Sequence, residues 1–309
     1  MRISCILAAG SGGPRAEAVL AALEAQTHPD REVIVVAKRG AGIAGAQEIA
    51  GGGVGAAWAR GLAMAGGEAA LFLTPEDLPM PWALSAMARP AAAGAELVLA
   101  RRLPAPGPTR PDAGFDALVA GLGAARLVLP GDPDFGWHMA RAAVVAEGAA
   151  LRLVSMALIR RASIPFLHGN RHAGRILAAL AVAHARGLGV VASACATGHA
   201  DPPPADPDPF AAFDAPAAAA VLLEALGRVL RPSDARLRPA LVGAVIGWLR
   251  DSRRQVAHPL RAAHDAACAA VCADAPAVLA DLPEGEALGP VADRAALAWF
   301  AARRQGSWP

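Results

Sequence analysis

The chain has 309 residues and a formal net charge of +2, and only 4% of its residues are aromatic. A chain of this length accommodates one large domain or two modest ones. Its basic residues are not gathered into the patch that a nucleic-acid-binding face requires, so we exclude nucleic acid as a partner. Its apolar runs are interrupted before about 18 residues, which excludes a membrane-spanning helix.

The cellular compartment is predicted from the N-terminus and the cysteines. MRISCILAAGSGG at residues 1–13 is interpreted as a first strand and its turn, and not as a signal peptide. Cys5, Cys195, Cys268 and Cys272 are then predicted to be free thiols of a cytoplasmic protein. Residues 236–254 leave open a peripheral contact with the inner membrane, because arginines flank an apolar middle. The short spacing between prolines favours a core helix there instead.

Hydrophobic periodicity predicts alternating strands and helices over the first two thirds of the chain. Continuous apolar runs predict buried strands, and apolar residues at helical spacing predict amphipathic helices. The predicted strands are 3–8, 32–36, 69–73, 96–100, 151–160 and 189–193. The predicted helices are 15–26, a short helix from residue 53, 84–93, 115–129 and 171–186. This alternation is typical of an α/β domain whose mainly parallel sheet carries helices on both faces.

The domain organisation follows from a change in composition near residue 200. Residues 1–200 form the predicted α/β domain. Residues 201–216, DPPPADPDPFAAFDAP, are too rich in proline for a helix or a central strand and predict a linker. Residues 217–309 show helical spacing only and predict a helical C-terminal region.

An acidic turn, Thr74-Pro75-Glu76-Asp77, follows the predicted strand 69–73. In open α/β sheets, ligands bind beyond the carboxyl ends of the strands. Carboxylate oxygens at such a turn are the hard ligands that Mg²⁺ or Mn²⁺ prefers. Glu76 and Asp77 are therefore candidate metal ligands, and the alternative is a solvated turn.

Four segments together resemble the family 2 glycosyltransferases, whose fold is GT-A, a Rossmann-like α/β fold. They are ISCILAAGS (3–11), ALEAQTHPDREVIVV (22–36), GVGAAWARGLAMAGGEAALFLTPEDLPMPWAL (53–84) and LVSMALIRRASIPF (153–166). The resemblance covers about residues 1–200 and implies transfer of a sugar from a nucleoside diphosphate sugar to an unknown acceptor. It implies that Mn²⁺ or Mg²⁺ binds at Glu76 and Asp77. The nucleotide-binding residues that it implies are Ala9, Gly10, Ser11, Lys38, Arg39 and Arg60.

The chain departs from the family pattern at three functional positions. Ala37 and Lys38 stand where the family has an aspartate that contacts the base, and Thr74 stands where the first metal carboxylate is expected. The segment in which the family places its catalytic base has no Asp or Glu between Glu147 and Asp201. His168 and His172 are the substitutes proposed as general base, since histidine titrates near neutral pH. These departures predict weak or absent transfer.

Two alternatives to an active glycosyltransferase remain. One is a catalytically inactive GT-A fold that serves as an assembly subunit, with the C-terminal helices as the surface for a protein partner. The other is a nucleotidyltransferase, because LAAGSGGPR at residues 7–15 resembles the glycine-rich opening of that class, and Asp77 would be its metal ligand. The lysine that usually follows this loop is missing.

One further metal site is considered in the C-terminal region. His264, Cys268 and Cys272 share one face of a predicted helix and would supply three zinc ligands. Buried cysteines without a metal are the favoured interpretation.

Overall fold

The computed structural model describes residues 1–104, 112–123, 126–145, 150–198 and 211–280. The chain divides into two compact units, residues 1–138 with 145–203 and residues 139–144 with 204–309. The first unit contains the sheet. The second contains helices in its described part, as the sequence predicts for this region.

The strands form one sheet. Their bounds are β1 Ile3–Gly10, β2 Arg31–Lys38, β3 Gln47–Ile49, β4 Ala69–Leu73, β5 Leu78–Pro79, β6 Leu97–Leu103, β7 Leu127–Val128, β8 Ala150–Ser155 and β9 Leu188–Thr197. The strand order is β3-β2-β1-β4-β8-β6-β9-β5, and β7 pairs with β9. The long ladders β1–β2, β1–β4 and β6–β9 are parallel, whereas β8 lies antiparallel between β4 and β6. The short strands β5 and β7 also pair antiparallel with β9. The predicted α/β class is confirmed, with β8 as an antiparallel strand between parallel ladders.

The helices of the described ranges lie between and after these strands. Their bounds in the first part of the chain are α1 Pro14–Glu24, α2 Gly53–Leu62, α3 Ala83–Ala92, α4 Ala113–Leu122, α5 Phe135–Ala143, α6 Met156–Ala162 and α7 Ala173–His184. The later helices are α8 Asp214–Val229, α9 Leu237–Ser252, α10 Arg261–Ala273 and α11 Ala277–Ala280.

Close packing of α2 against β1 positions this helix beside the carboxyl edge of the sheet. A Cβ atom on Gly61 would lie 2.3 Å from Cγ2 of Ile6, so only glycine allows this approach. The turn between β1 and α1 likewise depends on glycine, because Gly10, Gly12 and Gly13 have φ angles of 59°, 79° and 93°. Glycines therefore position both the helix and the turn that border this edge.

The structure corrects two predicted elements. The predicted strand 151–160 is β8 followed by α6, because Ser155 ends the strand and its hydroxyl accepts a hydrogen bond from the Leu158 amide as an N-cap. The predicted helix 115–129 ends as α4 at Leu122, since Gly123 adopts a φ of 56°. Residues 127–128 then form β7 on the sheet.

The predicted linker, residues 201–216, contains the start of a helix. Residues 211–213 form a single helical turn that leads into α8 at Asp214. Pro216 is accommodated because it lies in the first turn of α8, where its missing N–H has no intrahelical partner to lose. Residues 201–210 and 281–309 lie outside the described residues, and the domain boundaries stay a prediction.

In the second unit, α8 packs against α9, α10 and α11. Every residue of α9 from Arg238 to Leu249 is buried or half-buried, including Leu241, Ile246 and Trp248. This burial supports the interpretation of residues 236–254 as a core helix. Across the described ranges, no helix combines the length and the apolar character that crossing a bilayer would require.

The four cysteines are buried and form no disulfide, as predicted. Burial raises the pKa of the Cys5 thiol to about 12 and that of Cys195 to about 11. Thiols with such pKa values are almost entirely protonated at neutral pH and are poor nucleophiles. The cysteines of the sheet are therefore core residues.

Candidate functional site

The carboxyl edge of the sheet carries a cavity of about 340 Å³, which we call the arginine cavity. This volume falls in the range of roughly 300–1,000 Å³ that is usual for ligand sites. Its lining residues come from α2, from β4 and the following turn, from the end of β6, the start of β8 and the first two turns of α7. They are Trp58, Phe72, Thr74, Glu76, Asp77, Arg102, Ala150, Leu151, Arg152, Gly174, Arg175 and Leu177.

The apolar wall of the arginine cavity is held by one hydrogen bond and by contacts between aromatic rings. The indole N–H of Trp58 donates to the carbonyl oxygen of Leu73 at 3.0 Å, which fixes the ring against the end of β4. Trp58 meets Phe72 edge-on with ring centroids 5.4 Å apart, and Phe72 contacts Phe166 at 5.7 Å. A preorganised aromatic wall of this kind suits the apolar face of a ligand.

The side chain of Asp77 accepts hydrogen bonds from Thr74, three residues earlier in the acidic turn. Its Oδ2 accepts hydrogen bonds from the Thr74 amide at 2.9 Å and the Thr74 hydroxyl at 2.8 Å. Its Oδ1 lies 3.0 Å from Nε of Arg102. Arg102 also donates to the carbonyl oxygen of Glu76 at 2.5 Å, so this arginine holds both residues of the turn.

Glu76 is paired with Arg15 from the start of α1. Nη1 of Arg15 lies 2.6 and 2.8 Å from the two carboxylate oxygens of Glu76. Both oxygens of Glu76 and both oxygens of Asp77 thus have protein partners.

These partners do not fit the predicted metal site. A divalent cation at this turn would have to displace guanidinium groups from Glu76 and Asp77 before it could use their oxygens. In the described part of the chain, no three His, Cys, Asp or Glu side chains are grouped so that they could hold a metal ion. The geometry therefore gives no support to Glu76 and Asp77 as ligands of Mn²⁺ or Mg²⁺.

A second, smaller cavity lies at the same edge of the sheet, beyond the ends of β1, β2 and β3. Its volume is about 190 Å³, and we call it the glycine cavity. Its lining residues are Ala8, Gly10, Ser11, Val36, Ala37, Lys38, Ile49, Gly51, Gly53, Val54 and Ala57. The two cavities are neighbours, because Leu7 pairs with Leu73 in the parallel ladder just before the two turns that border them.

The residues predicted to bind a nucleotide fall into three places. Gly10, Ser11 and Lys38 line the glycine cavity. Ala9 is 1% exposed and packs into the hydrophobic core of the sheet instead. Arg39 lies in the exposed turn after β2, where its amide donates to Ile49, and Arg60 lines a separate groove on α2.

The two histidines proposed as general base lie outside the arginine cavity. His168 packs over Gly52 and lines the groove that contains Arg60. His172 is the N-cap residue of α7, and its amide donates to the side chain of Asn170 at 2.8 Å. Neither histidine is among the residues lining the cavity that contains Glu76 and Asp77.

Four residues that border the arginine cavity were missed in the sequence: Trp58, Arg102, Arg152 and Arg175. Arg102 carried a usable signal, because the pair Arg101-Arg102 directly follows the apolar run that ends at Ala100 and so had to lie near a strand end. Arg152 and Arg175 carried none, since each lies inside a predicted strand or helix with no motif around it.

The proposed zinc site in α10 is a buried side-chain cluster. His264 is fully buried, and its Nε2 lies 3.0 Å from the Ser252 hydroxyl oxygen. The Sγ atom of Cys268 lies 3.6 Å from Nδ1 of His264. Because His264, Cys268 and Cys272 do not form a group that could hold a metal, the buried-cysteine interpretation is favoured.

Comparison with known proteins identifies the fold. No protein-family model and no curated sequence matches the chain. Residues 1–349 of S. aureus TarS superpose with a TM-score of 0.69 at 16% identity, over 100% of this chain and 93% of that one. TarS 1–349 with UDP-GlcNAc and with UDP each gives a TM-score of 0.67, at 17% and 15% identity and with the same coverage. The chain therefore has the GT-A glycosyltransferase fold, as the sequence resemblance predicted.

Proposed function

We propose that this protein is a glycosyltransferase that takes its sugar from a nucleoside diphosphate sugar. The observation that carries the proposal is the pair of adjoining cavities at the carboxyl edge of the sheet, one mostly apolar and one lined by arginines. A nucleoside diphosphate sugar has the matching parts, a flat base and ribose next to a doubly charged diphosphate. A structure of TarS with UDP-GlcNAc, on the same fold, supports this class of ligand.

In this proposal the nucleoside occupies the glycine cavity, where backbone and small side chains allow close approach of the ring. Lys38 replaces the aspartate of the family pattern at the rim of this cavity. The diphosphate extends into the arginine cavity, where guanidinium groups match phosphate oxygens in pairs. The sugar then lies near Trp58 and Phe72, which offer an aromatic wall to its apolar face.

Transfer requires an acceptor hydroxyl to attack the anomeric carbon while the bond to the phosphate oxygen breaks. The hydroxyl proton must go to a base, and the diphosphate leaves with the bonding electron pair. The carboxylates lining the cavity, Glu76 and Asp77, are both engaged with arginines. This engagement favours a second candidate function, a GT-A subunit that binds the donor without turning it over.

A ligand panel followed by a turnover assay tests both candidates. UDP-, GDP- and dTDP-sugars and nucleoside triphosphates are compared by thermal shift, because a ligand that prefers the native state raises the melting temperature. We expect stabilisation by one class of nucleoside diphosphate sugar. Release of the nucleoside diphosphate in the presence of candidate acceptors supports the transferase, and binding without release supports the subunit. Stabilisation by triphosphates alone contradicts both and supports a nucleotidyltransferase.

A further inference from the structure

We infer that this protein holds the diphosphate of its ligand with arginine side chains and needs no divalent cation to do so. The inference rests on the proposed function for the identity of the whole ligand. Its chemistry concerns the diphosphate alone, so it can be tested separately.

The carboxylates that a bridging cation would use are already neutralised. Arg15 contacts both oxygens of Glu76 at 2.6 and 2.8 Å, which is the distance of short charge-assisted hydrogen bonds. Arg102 lies 3.0 Å from Oδ1 of Asp77, whose other oxygen accepts two hydrogen bonds from Thr74. Each carboxylate thus has its own guanidinium partner.

The described side chains that line or border the cavity include more cations than anions. Among the described residues, Arg102, Arg152 and Arg175 line it together with Glu76 and Asp77. Arg15 adds a fourth guanidinium through its contact with Glu76. Of these six described side chains, four are cationic and two are anionic, and their formal charges sum to +2, which equals the charge of a magnesium ion.

The guanidinium groups that line the cavity come from three separate elements of the fold. Arg102 comes from the end of β6, Arg152 from β8 and Arg175 from the first turn of α7. Gly174 also lines the cavity, so the N-terminal end of this helix, which carries partial positive charge, faces the same space. Planar guanidinium groups bind pairs of phosphate oxygens, which a lysine would not do.

This arrangement serves the chemistry that the proposed function requires. When the bond between the anomeric carbon and the phosphate oxygen breaks, the departing diphosphate gains one negative charge. Fixed positive groups around that oxygen stabilise the charge as it develops and need no reorganisation. The arginines would thus take over the task that a cation performs in a metal-dependent enzyme.

The direct test is calorimetric titration with inorganic pyrophosphate, which lacks both nucleoside and sugar. We expect binding in EDTA and no gain in affinity when EDTA is replaced by Mg²⁺ or Mn²⁺. Binding should also weaken as the salt concentration rises, because charge provides most of the attraction. Binding that requires the cation would overturn the inference, and so would a lack of binding under both conditions.

Variants locate the site. Arg152→Gln and Arg175→Gln should each lower pyrophosphate affinity roughly tenfold or more, as the loss of a charge-assisted hydrogen bond implies. Arg89→Gln is the matched control, because Arg89 is an exposed arginine on α3 and lines neither cavity. Unchanged affinity in both cavity variants would contradict the assignment. If a variant does not fold, the pyrophosphate affinity of the wild type in EDTA and in Mg²⁺ or Mn²⁺ still tests the inference.

The outcomes separate this inference from the proposed function. Metal-free pyrophosphate binding together with no response to any nucleoside diphosphate sugar would retain the arginine site and refute the proposed function. Sugar nucleotide binding that appears only with Mn²⁺ would retain the proposed function and refute the arginine site.

Discussion

Arg15 and Glu76 join two turns that are far apart in the sequence, with Nη1 of Arg15 2.6 Å from one carboxylate oxygen and 2.8 Å from the other. The first turn follows β1 and the second follows β4, and these two strands are neighbours in the sheet. The ion pair therefore fixes the position of the acidic turn relative to the turn between β1 and α1, which contains Gly10, Gly12 and Gly13. It also places a guanidinium where a metal-dependent site would need an open carboxylate.

Glu76→Gln is predicted to strengthen pyrophosphate binding in EDTA by roughly threefold or more. The substitution keeps the shape of the side chain and removes one of the two negative charges that oppose the anion in the arginine cavity. Calorimetry measures the change. A metal ligand would give the opposite sign in Mg²⁺, where its loss weakens binding. Glu24→Gln, at the exposed end of α1, is the control and should leave the affinity unchanged.

Val54→Phe is predicted to block the nucleoside and spare the diphosphate. Val54 is half-buried and lines the glycine cavity, whose volume of about 190 Å³ leaves little room beside an added phenyl ring. We expect at least a tenfold loss of affinity for the nucleoside diphosphate sugar identified in the panel. Pyrophosphate affinity should stay at the wild-type value, because the ring does not enter the arginine cavity.

Val33→Phe is the control for this experiment, since Val33 is 37% exposed on β2 and lines neither cavity. An equal loss of both ligands in Val54→Phe would indicate a general distortion of the fold. Unchanged affinity for the sugar nucleotide would show that the nucleoside binds elsewhere.

Glu96→Gln is predicted to lower the free energy of unfolding by about 1–3 kcal/mol at neutral pH, the usual cost of losing hydrogen bonds to a charged group. Arg161 contacts the two oxygens of Glu96 at 3.1 and 2.6 Å, and the Arg186 amide donates to the same carboxylate at 2.7 Å. Burial alone would raise the pKa of Glu96, but the bonds from Arg161 and Arg186 outweigh it and lower the pKa.

The pH dependence of this variant has a definite sign. The pKa of Glu96 is lower in the folded state than in the unfolded state. The contribution of ionised Glu96 to stability is therefore complete above the unfolded pKa of about 4.3 and is lost as the pH falls through the folded pKa. Urea denaturation at pH 7 and at pH values below 4 should show the difference between wild type and Glu96→Gln shrinking in acid. A difference that is constant with pH would assign the effect to packing. Glu17→Gln, exposed on α1, should show no difference.

His264 is predicted to make the helical unit sensitive to mild acid. Burial is the main cause that lowers its pKa. Asp265 and a hydrogen bond to the backbone of Ala212 oppose this shift, and Arg253 adds a smaller lowering contribution. The unfolded chain therefore binds a proton more readily than the folded one. The contribution of neutral His264 to stability is complete above the unfolded pKa of about 6.5 and is lost as the pH falls below that value.

His264→Gln should flatten the change of melting temperature between pH 7.5 and pH 5, followed by circular dichroism. The substitution removes the titrating group and keeps a polar side chain beside the Ser252 hydroxyl. His184, whose pKa is also lowered by burial, provides the comparison in the first unit. If the dependence of melting temperature on pH is unchanged in His264→Gln and is weaker in His184→Gln, the acid sensitivity belongs to His184 on α7.

The local hydrophobic pattern was sufficient to predict the bounds of elements that are buried along their whole length. The strand starting at Ile3 and the strand 69–73 were predicted within two residues, because every side chain of β4 and all but the last of β1 are buried, and apolar runs record this. Pattern failed at residues 151–160, where the apolar run continues through a change from strand to helix. The boundary there depends on one hydrogen bond from the Leu158 amide to Ser155, which composition does not record.

The sequence by itself determined the α/β class and directed attention to the acidic turn at Glu76 and Asp77, because periodicity and turn residues are local properties of the chain. The GT-A fold was predicted from the resemblance of four segments to a known family. Only the tertiary structure decided what surrounds that turn. Arg15, Arg102, Arg152 and Arg175 belong to four elements, and their arrangement around one cavity follows from the strand order of the sheet. Charge at a site is a sum over side chains brought together from distant parts of the chain, so a motif that supplies only the carboxylates predicts the wrong sign.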